Sequence, residues 1–325
     1  MKNEDREGCR KCASQAPPLE EGFEKRFNKF LKVELMDPIT AMYVTQGVHG
    51  LAYGMVLFLV ASGLTLIFGM MGVLNMAHAA FFMLSAYFAY QIAVSTGSFW
   101  LALLLGPIAT GILGVLVERF LLRKIHSLGH VAELIVTTGV MFVILGAVKF
   151  IWGTEFLYVS PPPILNWSAN IGGVVYPVYR LFVMALTTIV LGLMALIIFK
   201  TRLGMVVRAA VSNAAMVNAL GINVPILFMF VFGAGSFLAG AAGVTIAPVL
   251  SVFPGLADQM GMDAFIVVVV GGFGSLGGAF LVAMTIGLLS SFGVQFLSQL
   301  APVLTFAFMA IVLAIKPMGF FGERE

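Results

Sequence analysis

An apolar run at residues 177–200 reads PVYRLFVMALTTIVLGLMALIIFK, and the segment that follows at 201–223 reads TRLGMVVRAAVSNAAMVNALGIN. The first run is long enough to cross the hydrocarbon core of a bilayer, which is about 30 Å thick and needs about 20 helical residues. The second segment is more polar and is flanked by basic residues. The pair therefore predicts a transmembrane helix followed by a loop outside the bilayer.

Composition extends this interpretation to the whole chain. Of its 325 residues, 60% are hydrophobic and only 10% are charged, and it contains 36 Gly and 29 Phe, a usage typical of lipid-embedded helices. We expect an all-α polytopic membrane protein with about eight transmembrane or re-entrant helices. The candidate spans lie near residues 44–69, 72–94, 98–121, 131–152, 177–200, 223–250, 264–292 and 298–316. The net charge of +3 is small and no basic face with interleaved aromatic residues occurs, so nucleic acid is not an expected partner.

Basic residues predict the orientation of the chain. They occur in three groups: Arg119, Arg123 and Lys124; Lys200, Arg202 and Arg208; and Lys316 with Arg324. Because cytoplasmic loops carry an excess of Lys and Arg, we expect all three groups to face the cytoplasm, consistent with strict alternation of the spans. The same alternation is expected to place the 153–176 segment and the N-terminus outside, where the former can meet an external partner.

Residues 1–43 are predicted to form an N-terminal extension ahead of a transmembrane domain at 44–322. Phe23, Phe27, Phe30, Leu31 and Leu35 recur at helical spacing between charged residues. This pattern favours an amphipathic helix in the membrane interface over a partner-binding helix, and it lacks the apolar core of a signal peptide. The pair Cys9 and Cys12 has no second pair or nearby His to complete a zinc site and no thioredoxin-like context, so a disordered tail without a metal is favoured.

Polar residues inside apolar blocks carry a free-energy cost and therefore mark candidate functional positions. The candidates for a substrate pathway are Gln46, Asn75, His78, Asp258 and Asp263. Asn75 and His78 lie three positions apart and share one helix face. They either line a solute path or are satisfied by backbone carbonyls of a tightly packed bundle, and both interpretations stay open.

A glycine run at 271–278 predicts close helix packing or an unwound turn, through Gly271, Gly272, Gly274, Gly277 and Gly278. It lacks the Gly-Lys-Ser/Thr ending of a phosphate-binding loop, and Phe273 stands where a nucleophile elbow needs glycine. We therefore expect no catalytic residues and no bound nucleotide. The segments 76–81 and 261–265 also resemble each other, each with a polar residue before a helix entry, which indicates a possible internal pseudo-repeat.

Four motifs follow one another along residues 44–322. They are Asn75-Met-Ala-His78 with Met83 and Ala86-Tyr87, Arg208-Ala with Ala219-Leu-Gly-Ile-Asn223, the run Gly271–Gly278, and the closing Pro317-Met-Gly-Phe-Phe-Gly322. In order and spacing they resemble the permease subunits of branched-chain amino acid ABC importers, especially the shorter of the two permeases. The resemblance implies a type II ABC importer permease in the bacterial cell (inner) membrane.

The resemblance also implies partners. These are a second homologous permease, two cytoplasmic ATPase subunits, an extracytoplasmic solute-binding protein and the lipid bilayer. The chain itself is then non-catalytic and binds no cofactor, because ATP and Mg belong to the ATPase subunits.

In that family the cytoplasmic loop matching 201–223 seats in a groove of the ATPase. The residues fit a short coupling helix: Gly204 can end the incoming helix, Ser212 and Asn213 are N-cap types, and Gly221 can close a helix over 214–220. The resemblance assigns ATPase coupling to Arg202, Arg208, Ser212, Asn213, Met216, Leu220, Gly221 and Asn223. An acidic residue that family members often carry at Ser212 or Asn213 is absent, and the N-terminal extension is a second departure.

The substrate stays open at this level. The family transports leucine-like amino acids, and relatives move urea, short amides and aromatic or other organic acids. An ion-coupled secondary transporter that uses Asp258, Asp263 or His78 is the alternative function, and a structural membrane scaffold is a further one. ATP hydrolysis stimulated by substrate in the reconstituted complex discriminates the importer from both.

Overall fold

The computed structural model describes residues 37–171 and 174–321. The predicted interfacial helix, Cys9, Cys12 and Arg324 lie outside these residues. The described chain forms eleven α-helices longer than one turn, and these are α1 Pro38–Met71, α2 Ala77–Thr96, α3 Phe99–Val117, α4 His130–Trp152, α5 Val178–Lys200, α6 Arg202–Ser212, α7 Ala214–Ala219, α8 Val224–Ile246, α9 Leu256–Gly271, α10 Leu276–Phe296 and α11 Ala301–Ile315.

Shorter elements connect these helices. A π-helical turn at Glu118–Leu122 continues α3 into a helical turn at Arg123–Ile125 and a 3₁₀ turn at His126–Leu128. Between α4 and α5 lie a 3₁₀ turn at Pro163–Leu165 and the antiparallel strands β1 Ser168–Ile171 and β2 Val174–Pro177.

Seven helices of the described chain are long and apolar enough to span a membrane, namely α1, α2, α3 with its continuation to Ile125, α4, α5, α8 and α10. α11 is apolar but has only 15 residues. The predicted all-α polytopic fold is therefore confirmed. α1 begins at Pro38, so residues 38–43 continue the first membrane helix and do not belong to the extension. Proline suits this first position because its missing N–H has no partner there in any helix.

The predicted single span at 264–292 is wrong, because this region contains two helices joined by the turn 272–275. Gly272 and Gly274 have φ of 97° and 79°, which glycine adopts without steric cost. The Ser275 side chain accepts the Gly278 N–H and begins α10. A Cβ on Gly278 would lie 1.9 Å from the Gly271 carbonyl oxygen, so glycine lets the two helices approach. Gly277 has open space at its Cβ position, and its predicted packing role is therefore not found.

The division of the 264–292 region into α9 and α10 reverses the direction of every helix that follows it. Eight alternating spans would place the end of α11 on the face opposite the 201–223 loop, against the orientation expected from the basic residues. α9 runs parallel to α1, since its Asp263 contacts Tyr53 and the following Phe273 packs on Phe68. α10 then returns antiparallel to α1, and α11 runs parallel to α1 again. The chain that follows α11 lies beside the 272–275 turn, because the Phe320 N–H donates to the Val270 carbonyl.

The basic residues of the described chain now segregate by face. Those on the face of α6 and α7 are Arg119, Arg123, Lys124, Lys200, Arg202, Arg208 and Lys316, whereas only Lys149 and Arg180 lie toward the other face. By the positive-inside rule the first face is cytoplasmic.

Helices α1–α4 and α8–α11 form two matched halves. The two largest helix interfaces are those of α1 with α10 and of α3 with α8. If α1 corresponds to α8 and α3 corresponds to α10, each of these interfaces corresponds to the other. α2 packs on α3 and α4, as α9 packs on α10 and α11. Matched helices cross in opposite directions, so the halves form an inverted repeat, an arrangement found in many transporters. The predicted similarity between segments 76–81 and 261–265 does not align the two halves. His78 is the second residue of α2, whereas Asp263 is the eighth of α9.

The two halves meet where α1 crosses α8. A Cβ on Gly63 would lie 2.5 Å from the Gly235 carbonyl oxygen and 2.9 Å from the His78 ring. Glycine here allows the backbones of α1 and α8 and the imidazole of α2 to meet at one point. This crossing lies beside the cavities described next.

Candidate functional site

An outer cavity of about 830 Å³ opens toward the non-cytoplasmic face between α1, α5, α9, α10 and α11. α1 contributes Gln46, His49 and Tyr53, which recur at helical spacing and share one face. α9 contributes Asp258 and Asp263. The cavity is therefore an apolar chamber with polar groups on two facing helices.

A three-residue cluster lies at the side of this outer cavity. The Arg180 guanidinium donates to His49 Nδ1, and the Tyr176 hydroxyl lies 3.2 Å from the same nitrogen. Burial raises the pKa of Tyr176, against the opposing effect of the Arg180 charge, so its hydroxyl stays protonated. The cluster joins β2 and α5 to α1 and places one fixed cation at the cavity wall.

Two further contacts hold the cavity helices together. The Tyr53 hydroxyl donates to Asp263 Oδ2 over 2.7 Å and connects α1 to α9. Gln46 donates through Nε2 to the Ser291 carbonyl over 3.1 Å, and the Ser291 hydroxyl donates back to the Gln46 carbonyl over 2.8 Å. Gln46 and Asp263 therefore combine a position on the cavity wall with a role in helix packing.

An inner cavity of about 400 Å³ lies deeper, where the 72–76 turn and the start of α2 face α9. Asn75 and His78 line it, and each has 2% of its surface exposed. His78 donates from Nε2 to the Val60 carbonyl over 2.9 Å. Its Nδ1 and both polar atoms of the Asn75 amide have no hydrogen-bond partner among the described residues. Since buried polar groups are nearly always paired, these atoms are available to a solute or to water.

The two cavities adjoin, because Asp258 and Met262 line both. All five predicted pathway residues line one cavity or the other. Backbone carbonyls were one of the two predicted partners of Asn75 and His78. A carbonyl does accept a hydrogen bond from one nitrogen of His78, but none in the described chain pairs with the Asn75 amide. Sequence reasoning missed Tyr53, Tyr176 and Arg180. Tyr53 lies in an apolar run as an ordinary aromatic residue, and Arg180 lies at a span end where a basic residue is common.

The segment 201–223 forms two helices, not one. Thr201 begins α6 by accepting the Gly204 N–H at its side-chain oxygen over 3.3 Å. The prediction that Gly204 ends the incoming helix is wrong, because it lies in the first turn of α6. A Cβ there would lie 2.0 Å from the Ile198 carbonyl oxygen, so glycine lets α6 fold back against the end of α5.

Capping residues define the second helix, α7, and the start of α8. Asn213 follows the last residue of α6, Ser212, and accepts the Met216 N–H at Oδ1 over 2.9 Å. Gly221, with φ of 86°, lies just beyond α7. Asn223 accepts the Ile226 N–H over 3.2 Å and begins α8. The predicted helix at 214–220 is therefore present as α7, and Asn213 is its N-cap.

Side chains of α6 and α7 divide into an anchored set and an exposed set. Ala210, Val217 and Val224 form a small buried core that joins α6, α7 and α8. Arg208 donates to the Ile198 carbonyl over 2.8 Å and lies over the Phe199 ring, which anchors α6 to α5. The exposed set contains the charged Arg202 and the apolar Leu203, Met205, Met216 and Leu220. Leu203 and Met205 were not identified from the sequence.

The profile of one protein family, described as "Branched-chain amino acid transport system / permease component", matches residues 47–315. The chain belongs to this permease family. It is therefore a multi-pass membrane component of a transport system, and the match covers both cavities and the 201–223 segment.

Individual relatives agree with this assignment. The permease is 28% identical over 297 residues to the high-affinity branched-chain amino acid transport system permease protein BraD of Pseudomonas aeruginosa, covering 87% of this chain and 97% of that protein. It is 27% identical over 306 residues to the corresponding protein LivH of Escherichia coli K12, covering 87% and 96%. A probable LivH of Methanocaldococcus jannaschii is 29% identical over 136 residues, 39% of this chain and 43% of that protein. No solved structure matches the permease significantly.

Proposed function

We propose that this permease is one membrane subunit of an ATP-driven importer that moves branched-chain aliphatic amino acids across the inner membrane into the cytoplasm. The observation that carries the proposal is the pair of adjoining cavities with the unpaired Asn75 amide at the inner one. The printed functions of the relatives support the same substrate class.

The chemistry of the inner cavity favours a solute with an apolar side chain and an ammonium group. Its walls include Val60, Leu64 and Phe265, and its volume lies in the range of small-molecule sites. Asp258 supplies a carboxylate at the junction of the cavities and the Asn75 amide supplies a donor and an acceptor. An amino acid zwitterion can use both groups, whereas an organic anion would be repelled by the carboxylate.

Energy is proposed to come from two ATPase subunits that dock on α6 and α7. Leu203, Met205, Met216 and Leu220 are exposed on these two helices. Large exposed apolar side chains on a segment outside the bilayer are typical of a protein interface. Arg202 supplies a charge at its edge, in the absence of the acid that family members often carry.

The remaining proposed partners are a second homologous permease and an extracytoplasmic solute-binding protein. The outer segment between α4 and α5 exposes Phe156, Tyr158 and Trp167, a surface suited to the binding protein. ATP and Mg would be bound by the ATPase subunits, and this chain would carry no cofactor.

Reconstitution of the complete complex in proteoliposomes tests the proposal. We expect leucine, delivered by the binding protein, to stimulate ATP hydrolysis and to accumulate inside the vesicles. Urea and benzoate, added as competing solutes, should not stimulate ATP hydrolysis. The paired variants Met216→Asp and Leu220→Asp should abolish ATPase binding, whereas Ile39→Asp, an exposed apolar position at the other end of the chain, should not. Leucine uptake by this permease without ATPases, driven by a proton or sodium gradient, would refute the proposal and support the ion-coupled alternative.

A further inference from the structure

Three ionisable side chains form a buried cluster at the cytoplasmic end of the bundle. His126 contacts Glu118 Oε1 through Nε2 at 2.9 Å and Glu133 Oε1 through Nδ1 at 2.6 Å. Both carboxylates are buried, with side-chain exposures of 2% and 5%. The second oxygen of Glu118 has no partner among the described residues. The Glu118 side chain therefore depends on His126, which joins the π-helical turn to α4.

The same imidazole touches the helix that follows the ATPase-facing segment. Its ring packs edge-on against Phe228 of α8, with 6.3 Å between the centroids. Phe228 packs in turn against the small core of Ala210, Val217 and Val224 that holds α6 and α7. A displacement of α7 therefore reaches His126 through packed side chains.

The cluster of Glu118, His126 and Glu133 is also connected to the inner cavity, through α4. Thr137 lies four residues, or about 6 Å, beyond Glu133 along α4. It accepts the Met76 N–H at Oγ1 over 3.3 Å, which fixes the turn that carries Asn75. Met141, one turn further, lines the inner cavity itself. α4 is otherwise largely exposed, and its remaining contacts include the buried Val140 and Val148 and the hydrogen bond from Trp152 to Gln91.

We propose that His126 is a positioning residue that transmits movement of α6 and α7 through α4 to the Asn75 turn of the inner cavity. The proposal rests on the ATP-driven function described above. His126 itself lines neither the outer nor the inner cavity. It fixes the angle of α4 relative to α8, so that the turn at 72–76 follows the ATPase-facing helices.

Protonation of His126 sets the strength of this link. The hydrogen bond to Glu118, and then that to Glu133, raises the pKa of His126 to about 8 against partial burial. The titratable groups that face it are Glu118, Glu133 and, through Glu133, His130, with Arg119, Arg123 and Lys124 on the same turn. α8 carries no titratable residue. Because the pKa is raised, both donated bonds are present below about pH 6.5 and one is lost as the pH rises through about 8.

The test uses the complete reconstituted complex and measures solute imported per ATP hydrolysed. His126→Gln retains one donor but cannot bind both carboxylates, and we expect it to lower this ratio about fivefold while assembly and ATP hydrolysis stay within about twofold of wild type. His126→Ala should lower it further. Lys124→Ala removes an exposed cation from the same turn and serves as the matched control with an unchanged ratio.

A pH series separates positioning from general stability. The wild-type ratio should fall between about pH 7 and about pH 9, and the His126→Gln ratio should be low and flat. A His126→Gln ratio equal to that of wild type would overturn the proposal. If that variant does not assemble, a wild-type ratio that is constant over this pH range overturns it. Leucine uptake by the wild type without ATP would instead refute the proposed function, which keeps the two failures distinct.

Discussion

The N-cap of α7 provides the sharpest test of the segment proposed to bind the ATPases. Asn213 accepts the Met216 N–H over 2.9 Å, and α7 has only six residues. So short a helix has little stability of its own, because nucleation is unfavourable and few internal hydrogen bonds follow. We expect Asn213→Ala to loosen α7 and to weaken ATPase binding without affecting the membrane helices.

The magnitude follows from the capping bond. Replacing an Asn N-cap with Ala costs about 0.5–2 kcal/mol, typically about 1 kcal/mol. A loss of about 1 kcal/mol changes a two-state population about fivefold. If docking requires the folded helix, ATPase affinity and uptake should both fall by about this factor.

Asn218 provides a matched control on the same helix. It is exposed and lies in the interior of α7, where Ala has the higher helix propensity. Asn218→Ala should therefore leave ATPase binding unchanged or strengthen it slightly, and Asn213→Ser should retain the cap. The measurement is the dissociation constant of the purified ATPase from the permease complex in nanodiscs, together with uptake in vesicles.

Equal affinity for Asn213→Ala and Asn218→Ala would refute this reasoning. It would mean either that α7 is held by its buried core alone or that the ATPase binds elsewhere. A loss of the whole permease from the membrane would also contradict it, because Asn213 lies outside the bilayer and touches no membrane helix core.

Three further outcomes are expected. Gly63→Ala should destabilise the fold by about 1–3 kcal/mol and lower the Tm of the purified complex, because its Cβ would press on backbone, whereas Gly47→Ala, with open space, should not. Asn75→Leu should reduce leucine uptake at least about tenfold with ATPase association intact, and loss of assembly would show a structural role instead. Tyr53→Phe should cost about 1.5–3 kcal/mol in thermal stability by removing the hydrogen bond to Asp263, and an unchanged Tm would contradict this.

Local features were predicted well from the sequence. The apolar runs located most helices within a few residues, since the bilayer demands a continuous apolar stretch. The cap at Asn213 and the turn at Gly221 were also recognised, because each depends on neighbours a few residues away, whereas the cap that Asn223 provides for α8 was not. Gly204 was misinterpreted because its role is to accommodate the preceding helix, which is a packing relation.

The glycine run at 271–278 shows a limit of prediction from the sequence. Eight alternating spans were expected, and Gly272 and Gly274 were seen to permit either packing or a turn. Their sequence is compatible with both, since glycine adopts positive φ and also allows close helix contact. In the structure α9 packs against α1 and the turn follows, so α11 ends with Lys316 on the same face as the 201–223 segment.

By itself the sequence determined a helical membrane protein and the polar residues that are costly inside it, and its basic residues predicted an orientation, because hydropathy and charge act along the chain. The tertiary structure alone decided what those residues do together. Tyr53 and Asp263, 210 residues apart, meet across the outer cavity, and Asp258 connects that cavity to the one beside Asn75. Such contacts arise from the crossing of two inverted halves, which no local pattern records.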